Sequence, residues 1–342
     1  MLHGSTSSLF SAIVVGIVAV CSISAAAAPL QILPRAAPSE SALFPFSRGV
    51  SSWTTLPGAK GALPLSDDTL RPNHVAEGPK HAYVKAPDGR MALRAHYPKG
   101  SYRPGVEPRG GISFYAPGPD SVDLATAKEA TFGYSVMFPE GFEFVKGGKL
   151  PGLYGGDNDA ISISCSGGRR DSACFSARLM WRPEGAGELY TYLPPYTIDK
   201  FEANKKQCDI ANSDCNPTYG ASIARGSFKF EPGQWTTVSE RVKLNDVGKA
   251  NGELELFVGG ESIINIKNLI LRDNDSGRIR GMQMQSFFGG HTSDWATPKD
   301  QDVYFADLSV AILSTFDGKS AKKAARELEE SVVVPRWSKT EQ

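Results

Sequence analysis

The chain has 342 residues and balances 37 Lys and Arg against 37 Asp and Glu, so its formal net charge is zero. A neutral balance excludes the broad basic surface expected of a nucleic-acid-binding protein, and any polyanion must be held by a local basic cluster. The length suffices for one large β domain or two ordinary domains.

Residues 1–28 are predicted to be a signal peptide. Segment 9–30, LFSAIVVGIVAVCSISAAAAPL, joins a short apolar run to small residues, which suits cleavage near Ala28 better than a membrane span. Because no Lys or Arg precedes the run, a retained signal anchor is the alternative. We expect a secreted, extracellular protein with no membrane association after cleavage. Residues 29–45, rich in Pro, Ala and Ser, are predicted to form a flexible leader.

Four cysteines remain once the signal peptide is removed, and an even number in an oxidising compartment predicts two disulfides. They are Cys165, Cys174, Cys208 and Cys215. Three pairings are open, and we favour the two local ones, 165–174 and 208–215. The cysteine spacing and the scattered histidines do not suit a zinc site.

Ten short segments between residues 46 and 316 show the alternation and the β-branched and aromatic enrichment of strands. They are 90–98, 110–117, 130–139, 174–182, 188–194, 235–244, 252–260, 262–271, 279–288 and 301–312. This pattern predicts one all-β domain over 46–316, a β-jelly roll built as a two-sheet antiparallel sandwich. Residues 317–342 are predicted to hold a short C-terminal helix, over 318–331, and a tail.

Two of these strands, 174–182 and 188–194, are predicted to form a hairpin across the loop 183–187, PEGAG. The assumed register pairs Arg182 with Glu188, Met180 with Tyr190, and Arg178 with Tyr192. Side-chain alternation then separates a polar face from an apolar one. The polar face carries Ser176, Arg178, Met180, Tyr190 and Tyr192; the apolar face carries Phe175, Ala177, Leu179, Trp181, Leu189, Thr191 and Leu193.

The polar face combines a group that binds anions with groups that move protons. A solvated sheet face whose tyrosines cover their neighbours is the alternative. Upstream, KGGKLPGLYGG (146–156) places Lys149 in a run with few side chains. We interpret this run as a glycine-rich loop that lets a polymer approach the lysine. An ordinary turn with a solvated lysine is the alternative there.

Three motifs together resemble the family-14 polysaccharide lyases, which are alginate and glucuronate-polymer lyases with a jelly-roll fold, related to the glucuronan lyases. They are GGKLPGLYGG (147–156), SARLMWR (176–182) and GELYTYLP (187–194), with weaker support from SFFGGHTSDW (286–295). The resemblance implies β-elimination, in which a uronate loses its C5 proton, the C4–O bond breaks and an unsaturated sugar end forms. By this resemblance Lys149, Ser176, Arg178, Tyr190 and Tyr192 fall on the family's functional positions.

Roles for these residues follow from what β-elimination needs. Arg178 and Lys149 are assigned to the uronate carboxylate and the anionic intermediate. Tyr190 or Tyr192 is assigned as base, with a tyrosine also as acid. We expect the two cations to lower the tyrosine pKa values. This chemistry calls for no cofactor and no catalytic metal.

Further candidates lie elsewhere in the chain. Gln283, Gln285 and His291 are candidate substrate-binding residues, and Trp181, Trp235 and Trp295 are candidate sugar-stacking platforms, although Trp181 lies on the apolar face. The run DNDA (157–160) offers oxygen ligands for a structural calcium ion. Asn274 opens the glycosylation sequon Asn274-Asp275-Ser276.

The sequence therefore predicts a secreted polysaccharide lyase that acts on an acidic polysaccharide as a monomer, without nucleic acid as a partner. A carbohydrate-binding jelly roll without catalysis is the alternative, because fold does not determine function. Glycoside hydrolysis is the third reading. It needs two carboxylates beside the groove, and the polar face offers only Glu188.

Overall fold

The computed structural model describes residues 38–78, 80–216 and 218–318. The predicted signal peptide and, apart from Gly318, the predicted C-terminal helix lie outside the described residues. Within the described part of the chain, no helix is long and apolar enough to cross a membrane.

The described residues are built mainly from antiparallel strands. The strands are β1 Ser51–Thr54, β2 Ala82–Lys85, β3 Met91–Tyr97, β4 Ile112–Ala116, β5 Ala127–Phe138, β6 Gly148–Gly156, β7 Cys174–Trp181, β8 Ala186–Tyr192, β9 Ala221–Lys229, β10 Gln234–Lys243, β11 Gly252–Val258, β12 Glu261–Leu269, β13 Arg278–Phe288 and β14 Gln301–Thr315. The helical segments are short. They are α1 Glu40–Leu43, α2 Asp67–Leu70, α3 Asp159–Ser162 and the 3-10 segments Leu124–Thr126, Pro183–Gly185, Asp199–Asp209 and Ser293–Trp295.

The strands form two sheets that pack face to face. The larger sheet has the order β12-β11-β10-β5-β14-β3-β2, with β1 paired to β14. The smaller sheet has the order β4-β13-β6-β7-β8-β9. Phe132 and Val310 of the larger sheet share one buried core with Phe175 and Leu189 of the smaller. The predicted all-β fold, an antiparallel jelly-roll sandwich, is confirmed.

All ten predicted strand segments are strands, but four further strands were not predicted. Strands β1 and β2 have only four residues each, too few to show a pattern. Strand β9 is largely polar at its second half, and β6 is rich in glycine. The first two extend the larger sheet, whereas β6 and β9 belong to the smaller sheet.

The glycine-rich run interpreted as a loop is in fact β6, between β13 and β7. Its glycines make room for neighbours. A Cβ on Gly152 would lie 2.0 Å from the Ala177 carbonyl oxygen, and one on Gly148 would lie 2.1 Å from the Trp181 ring. Because both neighbours approach so closely, only glycine fits, and the loop interpretation was wrong.

The end of the predicted leader is packed against the larger sheet. Residues 40–43 form α1, and Leu43 and Phe44 are buried with Leu56 and Leu313. The packed region therefore begins ahead of residue 46, because these apolar side chains cover the face of the larger sheet at its central strands β10, β5 and β14.

Both favoured disulfides, Cys165–Cys174 and Cys208–Cys215, are present. Cys174 begins β7, and Cys165 lies in the segment that leads into it. Cys208 belongs to the 3-10 segment before β9, and Cys215 follows it. The first bridge therefore lies with Tyr190 and Tyr192 on the outer face of the smaller sheet, and the second closes the segment that leads into β9.

Candidate active site

A groove of about 580 Å³ lies on the outer face of the smaller sheet, opposite the core. Segments 103–105, 166–168, 219–220 and 290–291 contribute to its walls. Its basic lining residues are Arg103, Lys149, Arg178, Arg182 and Arg225, against the single acidic lining residue Asp214. A chain of zero net charge thus concentrates positive charge here, as binding of a polyanion requires.

The β7–β8 hairpin has a different register from the predicted one. Arg178 pairs with Tyr190, and Met180 pairs with Glu188. The loop is shorter than assumed, since the Arg182 amide already bonds to the Ala186 carbonyl at 2.7 Å. The shift is two residues, an even number, so the predicted faces are unchanged. Arg182 still reaches Glu188 diagonally, with Nη2 2.7 Å from Oε1.

Arg178 lies at the centre of the groove floor and is 1% exposed. Its Nη1 donates to Gln285 Oε1 at 2.9 Å, and its Nε is buried without a hydrogen-bond partner among the described residues. Burial lowers the pKa of the guanidinium. A buried cation with unused donors is suited to bind an anion from the groove.

Lys149 projects from β6 into the same space and is 8% exposed. Its Nζ lies 2.9 Å from Met180 Sδ and 4.0 Å from the centre of the Tyr190 ring. Burial is the main cause, and the charge of Arg178 a further cause, of a Lys149 pKa well below the usual lysine value. The environment of Lys149 therefore disfavours the protonated, charged form of its amine until an anion binds in the groove.

Tyr190 and Tyr192 lie edge to face on β8, with ring centres 5.7 Å apart. The Tyr192 oxygen accepts the Gly168 amide at 3.0 Å, and the Arg178 guanidinium lies 6.0 Å from its ring. Burial, together with the hydrogen bond to Tyr192, raises the Tyr190 pKa, although Arg178 opposes the shift. The expected lowering is thus wrong for Tyr190, because desolvation outweighs the nearby cation.

Glu188 lies on the same face of β8 as the two tyrosines, has no exposed surface, and has both of its oxygens engaged. Oε1 meets Arg182, while Oε2 accepts from Ser222 Oγ at 2.6 Å and from Arg225 Nε at 3.0 Å. A carboxylate so occupied does not serve as a hydrolytic base, which disfavours the hydrolase reading. The sequence analysis missed Arg225 and Ser222 because it missed β9.

Two predicted site residues lie outside the groove lining. Ser176 is buried and donates to the Cys165 carbonyl at 2.8 Å, so it supports the wall segment. Gln283 is buried, and its Nε2 donates to Gln285 Oε1 at 2.9 Å and to the Tyr115 hydroxyl at 3.2 Å. Gln285 does line the groove, but its amide holds Arg178 and donates to Ser113 Oγ at 3.1 Å.

His291 and Trp295 lie in the groove wall. His291 stacks on Tyr219, with ring centres 5.7 Å apart, and its Nδ1 lies 3.1 Å from the Tyr219 hydroxyl. Trp181 is buried in the core, and Trp235 belongs to β10 of the larger sheet, where its indole donates to Asp88. Of the three predicted stacking platforms, only Trp295 faces the groove.

The side chains of the predicted calcium run have other partners. Asp157 Oδ2 accepts from Asn274 Nδ2 at 2.6 Å, Asn158 caps α3, and Asp159 lies 3.4 Å from the Arg280 guanidinium. No group of three or more His, Cys, Asp or Glu side chains is placed for a metal ion in the described ranges. The Asn274 amide, the predicted glycan acceptor, is half-buried in this cluster.

A bulge at Pro151 interrupts the pairing of β6 with β7 between Leu150 and Gly152 and frees backbone groups from the ladder. Two side chains of the larger sheet reach through the core to bind them. The Tyr134 hydroxyl donates to the Pro151 carbonyl at 3.0 Å, and the Glu240 carboxylate accepts from the Leu153 amide. Side chains of the larger sheet therefore fix the position of β6, the strand that carries Lys149.

Removing the Glu240 acceptor is expected to destabilise the fold. Glu240→Leu leaves the Leu153 amide unsatisfied and costs about 1–3 kcal/mol of the free energy of unfolding. Glu240→Gln keeps an acceptor for that amide and is the matched control. Urea unfolding measures both; equal stability of the Leu and Gln variants would contradict this role.

The pH dependence of the free energy of unfolding is expected to differ between the wild type and Glu240→Gln. Burial raises the Glu240 pKa well above its usual value, so the folded chain holds this proton to higher pH than the unfolded chain. Unfolding then releases a proton, and the carboxyl's contribution to stability falls as pH rises from the usual glutamate range through the folded pKa. Glu240→Gln should therefore gain stability over the wild type as pH rises.

Comparisons with known proteins identify the family of this chain. The polysaccharide lyase 14 family model matches residues 85–308. The crystal structure of the PL-14 alginate lyase of Aplysia kurodai is 35% identical, with a TM-score of 0.60, over 68% of this chain and 87% of that chain. An alginate lyase of Chlorella virus shares the fold at 24% identity and a TM-score of 0.57, over 71% and 93%. No curated protein matches the chain. The chain belongs to the polysaccharide lyase 14 family and is a polysaccharide lyase.

Proposed function

We propose that this lyase cleaves a polymer of uronic acids, of the alginate or glucuronan type, by β-elimination. The convergence of Arg178, Lys149, Tyr190 and Tyr192 on one positively charged groove carries the proposal. The likeness to the Aplysia kurodai alginate lyase supports a polyuronate as substrate.

Arg178 holds the carboxylate of the uronate whose C5 proton is removed. That proton is weakly acidic while the adjacent carboxylate is charged, so a cation that neutralises it stabilises the developing enolate. Gln285 orients the guanidinium through its 2.9 Å hydrogen bond, and the Gln285 amide is itself oriented by Ser113. Buried in the floor, Arg178 acts where water screens its charge least.

Lys149 adds a second positive charge once substrate is bound. Its pKa is lowered by burial and by Arg178, and a bound carboxylate opposes both effects. The ammonium then balances the negative charge that develops at the uronate. Its position 4.0 Å from the centre of the Tyr190 ring places this charge beside the tyrosine pair.

Tyr192 is proposed as base and Tyr190 as acid. The Gly168 amide donates to the Tyr192 oxygen and holds it in place, whereas burial raises the Tyr190 pKa and keeps that phenol protonated. Tyr192 takes the C5 proton, the C–H electrons form the C4=C5 double bond, and the C4–O4 bond breaks. Tyr190 gives its proton to O4. A proton then passes from Tyr192 to Tyr190 and resets the pair.

We also propose that the enzyme acts outside the cell after loss of its signal peptide. The two disulfides support this compartment, because such bonds persist in oxidising surroundings.

A panel of alginate, polyglucuronate and an uncharged glucan tests the function. We expect ultraviolet absorbance from unsaturated uronate with at least one polyuronate and none with the glucan. New reducing ends without this absorbance would indicate hydrolysis. Absence of cleavage of both polyuronates would overturn the proposed substrate class.

A further inference from the structure

Two guanidinium groups share one buried carboxylate beside the tyrosine pair. Glu188 has no exposed surface, and it bonds to Arg182 at 2.7 Å and to Arg225 at 3.0 Å. Ser222 completes the set through its 2.6 Å hydrogen bond. The cluster of Glu188, Arg182, Arg225 and Ser222 therefore carries a net positive charge.

Neutralising Glu188 does not require both arginines. Arg182, nearly buried, already balances it, yet the Arg225 side chain is 43% exposed and lines the groove. Arg225 uses Nε and Nη2 on Glu188 and Ser222, which orients the guanidinium. Its hydrogen bonds within the described residues come from Nε and Nη2, which leaves Nη1 available. An oriented, half-exposed guanidinium in a groove is suited to bind a carboxylate.

The cluster lies one step along the sheet from Arg178. Arg178 pairs with Tyr190, whereas Glu188 pairs with Met180, two residues further along β7. Two residues of strand span roughly 7 Å. This is the backbone spacing between the Arg178 position and the position of Glu188, the carboxylate that orients Arg225 of β9. It is on the scale of one sugar unit, and every unit of a polyuronate bears a carboxylate.

We propose that Arg225, together with Arg182, binds the carboxylate of the uronate next to the one held by Arg178. This inference rests on the proposed function and deepens it. Two adjacent carboxylate positions select unbroken runs of uronate over polymers in which uronates alternate with neutral sugars. The groove then binds the carboxylates of two successive uronate units.

The test is Arg225→Gln, assayed on whichever of alginate and polyglucuronate the wild type cleaves. We expect KM to rise about 10-fold with kcat unchanged, because the contact is made equally in the ground and transition states. Glu188 stays paired with Arg182, so the fold should be kept. Arg225→Lys should recover part of the loss. Lys229→Gln, which removes an exposed charge from the same strand, should leave KM unchanged.

Partial methyl esterification of the polymer supplies a second readout. Esterification should raise KM of the wild type more steeply than KM of Arg225→Gln, which has already lost the contact. An unchanged KM in Arg225→Gln, or equal slopes on the esterified polymer, would overturn the second carboxylate position. Either result leaves the proposed function intact if the wild type still forms the unsaturated product; a wild type that cleaves neither polyuronate sinks that function instead.

Discussion

Tyr192→Phe is expected to lower kcat by about 10²–10⁴-fold, the usual effect of losing a general base. Phenylalanine keeps the edge-to-face contact with Tyr190 and the ring near Arg178, and removes only the oxygen bonded to the Gly168 amide. KM should change little, because Arg178 still holds the carboxylate. Initial rates of product absorbance measure the effect.

Tyr190→Phe should lose activity by a similar factor, because the acid is then missing. The double variant should be no worse than the poorer single variant, since the two groups act as a unit. Tyr154→Phe is the matched control; it lies on the same face of the smaller sheet but outside the groove lining. Full activity in both Tyr190→Phe and Tyr192→Phe would end the assignment.

Lys149→Met is expected to lower kcat by about 10²–10³-fold and to stabilise the folded protein. The loss of activity follows from removing the charge beside the tyrosine pair. The gain in stability follows from burial, which makes an ammonium costly in this position. Methionine has a similar length and would lie beside Met180.

The pH dependence of stability tests whether burial of the Lys149 ammonium is the cause of the gain. The folded pKa of Lys149 lies below the unfolded value, so unfolding takes up a proton between the two, and wild-type stability rises with pH there. The advantage of Lys149→Met should therefore shrink as pH approaches the usual lysine range. Lys146→Met, at an exposed neighbour paired with Asp294, is the control. A variant less stable than the wild type at neutral pH would contradict the burial argument.

In the β7–β8 hairpin, the predicted faces of the strands were correct even though the predicted register was wrong. The error was two residues, and side chains repeat every two residues along a strand. Arg178, Tyr190 and Tyr192 therefore share the groove floor as predicted. The partner of each residue depended on the turn at Glu184 and Gly185, both with positive φ, which the sequence left open.

Strand β6 shows where local rules fail. Glycine and proline disfavour strands, so the run around Lys149 resembled a loop. Its place in the sheet depends on the Trp181 ring and the Ala177 carbonyl, which need glycine beside them, and on Glu240 and Tyr134 from the other sheet. None of these partners is near in sequence.

The linear pattern was enough for the all-β class, the polar and apolar faces of β7 and β8 and the family resemblance, and it favoured the two disulfide pairings that the structure shows. These properties depend on short residue spacings and on local motifs, and not on which distant segments pack together. Three findings came from the three-dimensional arrangement alone: β6 is an inner strand of the smaller sheet, burial raises the Tyr190 pKa, and Arg225 joins Glu188 at the groove. Desolvation and cross-strand contacts depend on which distant segments pack together, and a linear pattern does not encode them.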